Sequence, residues 1–441
     1  MASRDPIRPR RLAASDVLPG GFSASPEQRN RAFAILFFSQ MCLGAGQSVM
    51  FAILPSFARQ LGLTEFEASL PFVASATIWV FSSGFWGGRS DRWGRKPVML
   101  LGLTAFGVSF ATFAAVAQIG IAHLLPVMVA YPLMIAARAI YGVFGSGTGP
   151  AAQAYVADRT TRDERTRGVA TIGAAFGLGT SIGPGIGAVL VVFGLFAPFY
   201  FTAFMAFASA AAIWLLLPER HAPRLQIHQA PRLKWRDPRV WPIILFGLGV
   251  STAGAVPIQT VGYLFIDVLH FSPAVAPQYT GIGLVASSLA ALFAQLVIVQ
   301  RFDISARALM RWGAVIALLS NLLFAIGHQF GPLVFALILT GLGFGMMRPG
   351  YAAAASLAVD PHEQGAVAGL VGATNGAGFI FGPMIATALY RYSPAAPYLF
   401  AAGIMVALLI AAFVSTDLRR AGEFAHDPDM EGAAETQVPN A

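Results

Sequence analysis

The sequence predicts an all-α integral membrane protein, with twelve transmembrane helices in two parallel-repeat six-helix bundles. Three observations predict it. Of 441 residues, 56% are hydrophobic and only 11% charged, with mean hydropathy +0.65, a balance suited to lipid rather than to water. Apolar runs of about 20 residues, the length that crosses a hydrocarbon core as a helix, recur along the whole chain. A single shift of 199 positions also superposes Gly142 on Gly341, Pro150 on Pro349, Gly173 on Gly372, Gly177 on Gly376, Gly179 on Gly378, Gly183 on Gly382 and Pro184 on Pro383. A shift of about six spans preserves topology, so the halves are parallel repeats about an axis along the membrane normal, with a cavity between them at the midplane.

The first six runs lie at 33–58, 70–88, 97–119, 126–156, 168–193 and 199–217. A polar N-terminal tail, 1–31, precedes them, and its apolar sequel is too long for a cleavable signal segment. The longest polar interruption, PERHAPRLQIHQAPRLKWRDPRV, splits the spans six and six. The expected domains are therefore a bundle over 32–218, a linker over 219–239 and a bundle over 240–416. The second set of runs lies at 240–266, 277–299, 309–327, 331–357, 366–390 and 396–415, followed by an acidic tail, 417–441, of disordered composition.

Basic residues collect on the cytoplasmic side of membrane proteins. With both termini cytoplasmic, that side receives Arg4, Arg8, Arg10, Arg11, Arg29 and Arg31 of the tail, Arg89, Arg92, Arg95 and Lys96, then Arg159, Arg162, Arg165 and Arg167, and the arginines and Lys234 of the linker; Arg59 and Arg391 fall opposite. This accounts for the net charge of +8 without a nucleic-acid partner. The one cysteine, Cys42, lies inside the first span, which leaves no disulfide framework and no cysteine metal site. No P-loop or zinc motif is present to support an ATP-driven pump or a metalloenzyme.

The stretch GGRSDRWGRKP (Gly87 to Pro97) concentrates charge between two apolar runs. Gly87 and Gly94 would permit a tight turn and close approach. Asp91 can accept hydrogen bonds from arginines at a helix end, as a latch that holds one packing of the bundles; Arg92, Arg95 and Lys96 serve equally as topology charges. The stretch resembles the signature GxLaDRxGRK of the major facilitator superfamily, with Gly87, Asp91, Arg92, Gly94, Arg95 and Lys96 on the pattern and Arg89 where that family usually has an aliphatic residue. Arg138-Ala139-Ile140-Tyr141-Gly142 resembles the family's RxxQG element, with Tyr141 for the glutamine. Gly179-x-x-x-Gly183-Pro184-x-x-Gly187-Ala188 resembles the signature ending in GPxxGG of its drug:proton antiporter branch.

The resemblance implies a secondary transporter working by alternating access in a bacterial-type inner membrane, exporting small amphipathic compounds against protons, with no cofactor. The expected partners are a small-molecule substrate, protons as coupling ion and the lipid bilayer, and a monomer is expected. Gly179 and Gly183, at i and i+4, offer a flat helix face, and Pro184 removes a backbone hydrogen bond so that the helix can bend.

Ionisable groups inside a span are costly and mark function by default. Arg138 and Arg348 qualify, the latter about 16 Å from the polar end at Asp360 by helix rise; no acid is expected deep in any span. That pair would favour an anionic solute, so uptake or exchange of an organic anion stands beside efflux, although Arg138 can also tie helices together through Gln47. Further cavity candidates are Gln47, Phe51, Tyr141, Gln259, Tyr263, Tyr351 and Asn375. A membrane sensor that binds without transporting is the alternative from another class.

Overall fold

The structure, a computed structural model, describes residues 26–160, 162–218, 236–359 and 363–414. The expectations for residues 1–25, most of the linker and the C-terminal tail fall outside the described residues. Twelve helices are long and apolar enough to cross a membrane, and no strand occurs among the described residues.

In the first half, α1 (Pro26–Leu61) starts ahead of the apolar run and ends at Gly62, whose φ of +70° suits glycine. α2 (Glu65–Trp93) opens on a capping box: the Thr64 hydroxyl accepts from the Glu67 amide, and the Glu67 carboxylate accepts from the Thr64 amide. α3 is Arg95–Ile121, and α4 (Val127–Ala157) is interrupted by one 3-10 turn at Gly145–Gly147. α5 (Arg162–Leu190) carries Pro184, and α6 is Ala197–Leu216. The second half repeats the set. α7 is Trp241–Asp267, α8 is Ala276–Arg301 with a π-helical stretch at Ala294–Ile298, and α9 is Ala306–Ile326, capped by Ser305. α10 (Phe330–Leu357), α11 (Gln364–Tyr390) with Pro383, and α12 (Ala396–Val414) complete it.

Packing repeats under a shift of six helices. α1 packs on α5 and α6, α2 on α4, and α3 on α4 and α6; α7 packs on α11 and α12, α8 on α10, and α9 on α10 and α12. Between halves, α5 meets α8, α2 meets α11, and α1 meets α7, the pairing that a pseudo-twofold axis requires. Small residues make the tightest of these seams. A methyl group at Gly179 would overlap the carbonyl of Met41, and one at Gly183 would overlap Ala45 and Ser48 of α1; at Gly378 and Gly382, 199 positions on, it would overlap Ser251 and Ala255 of α7. The two backbones can approach so closely only because no side chain intervenes.

The halves touch at one end. There the Ser69 and Thr387 hydroxyls of α2 and α11 lie 3.4 Å apart, Gly262 of α7 faces the ring of Pro55, and Gly281 of α8 faces Pro184 and Ala188 of α5. At the opposite end, where α1 begins and the basic residues gather, the same seam helices are unpacked. Gly84 and Gly88 of α2, Gly173 and Gly177 of α5, and Gly369, Gly372 and Gly376 of α11 have open space where a side chain would be. The space between the halves is sealed at the far end and open at this basic end.

Candidate functional site

Four groups of side chains border or control the opening. The first is the charged stretch. The structure corrects its expected form as a loop: α2 runs on through Trp93, α3 starts at Arg95, and Gly94 alone joins them at φ +103°. A polar helix end that projects beyond lipid needs no loop. Gly87 has open space beside it, so it serves no close approach. Arg95 gathers the charges. It donates to Ser90 Oγ at 2.7 Å, pairs with Asp91 Oδ1 at 2.5 Å, and reaches Asp158 Oδ2 on the connection after α4 at 3.3 Å. Asp91 therefore pairs within its own half, and Arg92 is exposed. Lys96 turns elsewhere, its ammonium donating to the carbonyls of Trp214 and Leu217, each at 2.8 Å, at the end of α6. It thus neutralises the negative end of that helix. Arg311 of α9 does the same for α12 through the Ala412 carbonyl at 2.7 Å. At this end of the second half Arg239 bridges Asp237 and Glu363 at 2.9 Å. Its hydrogen bonds hold the Asp237 carboxyl below the usual aspartate value.

The second group surrounds Arg138, buried between α1, α2, α3 and α4. Its guanidinium lies 4.9 to 5.5 Å from the ring centres of Phe72, Phe110 and Tyr141. It donates to Gln47 Oε1 and Ser109 Oγ at 3.4 Å, long bonds that leave Nε without a partner. An aromatic cage offsets part of the desolvation of a buried cation. Gln47 also takes part in a hydrogen bond with the Tyr141 hydroxyl, so Gln47, Arg138 and Tyr141 form one cluster. Gly142, next to it, lets α4 approach the Ser75 carbonyl of α2 closely.

In the second half, Asn375 of α11 accepts from the Tyr351 hydroxyl at 2.5 Å and from Ser251 Oγ at 2.9 Å. Arg348 lies one turn before Tyr351 and is exposed, with no described hydrogen bond or ion pair. By helix geometry it lies about 20° around α10 from Gly341, which packs on Ser287 of α8. Phe51 is half-buried on α1, and Gln259 is buried on α7 with its amide nitrogen unpartnered.

The fourth group closes the far end. Arg59 Nη2 of α1 pairs with Glu65 at the start of α2 and with Asp267 Oδ2 at the end of α7, the latter at 2.6 Å. The Tyr390 hydroxyl of α11 donates to the same Asp267 oxygen at 3.1 Å. The ring of Tyr263 lies 5.4 Å from the Arg59 guanidinium and 5.8 Å from the ring of Tyr390. Tyr263, expected on the cavity, is fully buried in this seal. Sequence reasoning noticed Arg59 without joining it to Glu65 and Asp267. The available signal was a lone arginine on a side almost free of basic residues, with the nearest acids close by in the topology. Asp158 and Ser251 were missed, each being an ordinary polar residue in an ordinary setting.

Gly179 and Gly183 stand on the α1 seam, Pro184 meets α8 across the halves, and Gly187 lies in ordinary contact with Val49. Among the described residues no group of His, Cys, Asp or Glu could hold a metal ion.

The family model of the Major Facilitator Superfamily matches residues 36–293 and 274–435. Multidrug resistance protein 2 of Bacillus subtilis is 27% identical over 394 residues, spanning 87% of this chain and 94% of that protein. Quinolone resistance protein NorA of Staphylococcus aureus is 23% identical over 400 residues, spanning 88% and 98%. Among solved structures, a bacterial homologue of the human lysosomal transporter Spinster, inward-facing and occupied, has TM-score 0.69 at 13% identity, covering 95% of this chain and all of that one. The human organic anion transporter MFSD10 has TM-score 0.63 at 19% identity, covering 88% of this chain and all of that one. At such identities the structures bear on the fold alone.

Proposed function

The chain belongs to the Major Facilitator Superfamily and is a non-enzymatic, multi-pass membrane transporter of small molecules, and from that premise we propose that it exports amphipathic compounds from the cytoplasm in exchange for protons. The observation that carries this reading is the asymmetry of the opening: sealed at the far end, open where the basic residues lie. With basic residues on the cytoplasmic side, the open end faces the cytoplasm, both termini lie there, and substrate loads from inside a bacterial-type inner membrane into a single chain. The names of the relatives, multidrug and quinolone resistance, support amphipathic cargo. Rocking of one six-helix half against the other then exposes the site to the far side.

Proton exchange has no deep carboxylate to use among the described residues. Asp267 at the far end is the carboxylate placed to sense it, since parting of the halves would release it from Arg59, which stays with Glu65 in the first half. In proteoliposomes, a proton gradient opposed to the direction of export should accelerate flux of a fluorescent lipophilic cation severalfold, and a protonophore should cancel the gain. Flux indifferent to both would end the antiport reading and leave facilitated diffusion.

Arg348 favours a second reading, transport of an organic anion, because it is a cation within a membrane span, exposed and with no described hydrogen bond or ion pair. Replacing Arg348 with Ala should then weaken binding of an anionic amphiphile about tenfold, the worth of one charge-assisted hydrogen bond. Binding of a lipophilic cation should not weaken. Equal binding of the anion by parent and variant removes this reading. A sensor that binds without transporting does not fit a member of this transporter family.

A further inference from the structure

Three buried donors beneath the far-end seal find no acceptor among the described residues. The Tyr263 hydroxyl, the Gln259 amide nitrogen and Arg59 Nε are each screened from solvent and each without a hydrogen bond. Tyr263 and Gln259 are 0% and 3% exposed. They stand one turn apart on α7, at i and i+4, on the same side of the helix. A long helical side chain leans back over the preceding turn, so Tyr263 leans towards Gln259. Arg59 joins them from α1, its guanidinium 5.4 Å from the Tyr263 ring. A buried donor left unmet costs about 1–3 kcal/mol, and three gathered around one tyrosine call for a common occupant.

The charges nearby decide its chemistry. Asp267 is faced by Arg59 of α1, by Glu65 of α2 through that arginine, and by Tyr390 of α11, with Tyr398 of α12 near enough to act on Tyr390. Two carboxylates against one guanidinium repel an anion, and the unmet donors repel a cation. Water is neutral, accepts from two donors and gives its own protons to a third partner. We propose that ordered water lies beneath the seal, held by Gln259, Tyr263 and Arg59, and that it carries protons between Asp267 and the opening. This file of water completes the antiport reading, on which it rests, by giving the proton its inward path. When the halves part, Asp267 leaves Arg59 and takes a proton from the far side. When the seal re-forms, Arg59 and Tyr390 both reclaim Asp267 Oδ2, and the proton passes to the adjacent water. Each water gains one proton from the seal side and gives up another towards the opening, so one proton moves inward and Asp267 alone changes charge. Tyr263 and Gln259 are positioning residues: they hold the water and keep their own protons.

X-ray radiolytic labelling of the purified full chain in detergent tests the water directly, because radicals formed from a bound water mark the side chain beside it where bulk solvent has no access. Tyr398 is the internal control: it is as buried as Tyr263, but its hydroxyl is bonded to Thr260 at 2.9 Å. Tyr263 should be oxidised severalfold faster than Tyr398, and Gln259→Leu should slow it towards Tyr398. Equal, slow labelling of the two tyrosines in the parent overturns the proposal. So does labelling of Tyr263 that falls when sodium chloride replaces sodium gluconate, which would make the occupant an anion. In proteoliposomes, the ratio of lipophilic-cation flux with and without a proton gradient should drop severalfold in Gln259→Leu and in Tyr263→Phe, which keeps the ring in the seal. Variant ratios equal to that of the parent overturn the relay and leave antiport standing. A parent ratio of one ends antiport and the relay together, while the labelling still decides whether water is bound.

Discussion

Arg59→Ala is expected to unseal the far end. The variant leaves Glu65 and Asp267 facing each other across the seam between halves, and both carboxylates now lie on one nitrogen, hence within about 5 Å of each other. At an effective dielectric constant of about 20, two such charges repel by roughly 3 kcal/mol. Arg59 and Asp267 are about a third exposed, so solvent screening leaves roughly half of that. About 1.4 kcal/mol is a tenfold shift between two states. The readout is a thiol placed at buried Ser69, on the α2–α11 contact, in a background with Cys42 replaced. Its labelling by a membrane-impermeant maleimide should rise about tenfold in the variant. Adding Glu65→Gln and Asp267→Asn removes the repulsion and should bring the rate back toward the parent. An unchanged rate in Arg59→Ala would show that the seal is carried by packing at Pro55, Gly262 and Gly281 instead.

Gly179→Val is expected to prevent the first half from assembling. A side chain there meets backbone, the Met41 carbonyl and the Ala45 amide nitrogen at 2.8 Å, and neither can swing aside as a flexible side chain would. Overpacking costs about 1–3 kcal/mol where side chains can yield, and more where two helices must separate along their whole seam. Monodisperse yield from detergent should collapse, and any recovered protein should unfold several degrees lower. Gly177→Ala, half a turn away, is the control: its Cβ would enter open space, and alanine favours helix by about 1 kcal/mol over glycine. Its stability should equal or exceed that of the parent. Parent-like yield from Gly179→Val would mean that α1 and α5 are not in close contact.

The fold was legible because lipid imposes so simple a code. Length and apolarity placed every span, and the recurrence of Gly179, Gly183 and Pro184 at Gly378, Gly382 and Pro383 exposed the duplication before any coordinate. Those glycines stand where two backbones nearly touch, so their spacing carried three-dimensional information. Boundaries were less legible. Arg89 to Trp93 read as loop because charge was equated with irregular backbone, whereas a helix that leaves the membrane continues in water at no cost in hydrogen bonds. The far-end seal was hidden for another reason: Arg59 and Asp267 stand 208 positions apart, and no local pattern announces a pairing across that distance. Lys96 was assigned to the charged turn by its neighbours in the chain, while its bonds run to α6.

The basic caps on α6 and α12 set a limit on cargo. Lys96 and Arg311 each fasten the last helix of a half to its third, which stiffens each half at its basic end. Any room gained in turnover comes from the angle through which two stiff blocks swing. Guests of different shape but equal girth would therefore be handled alike, and a ceiling on girth, rather than a preference in outline, would govern what this carrier accepts.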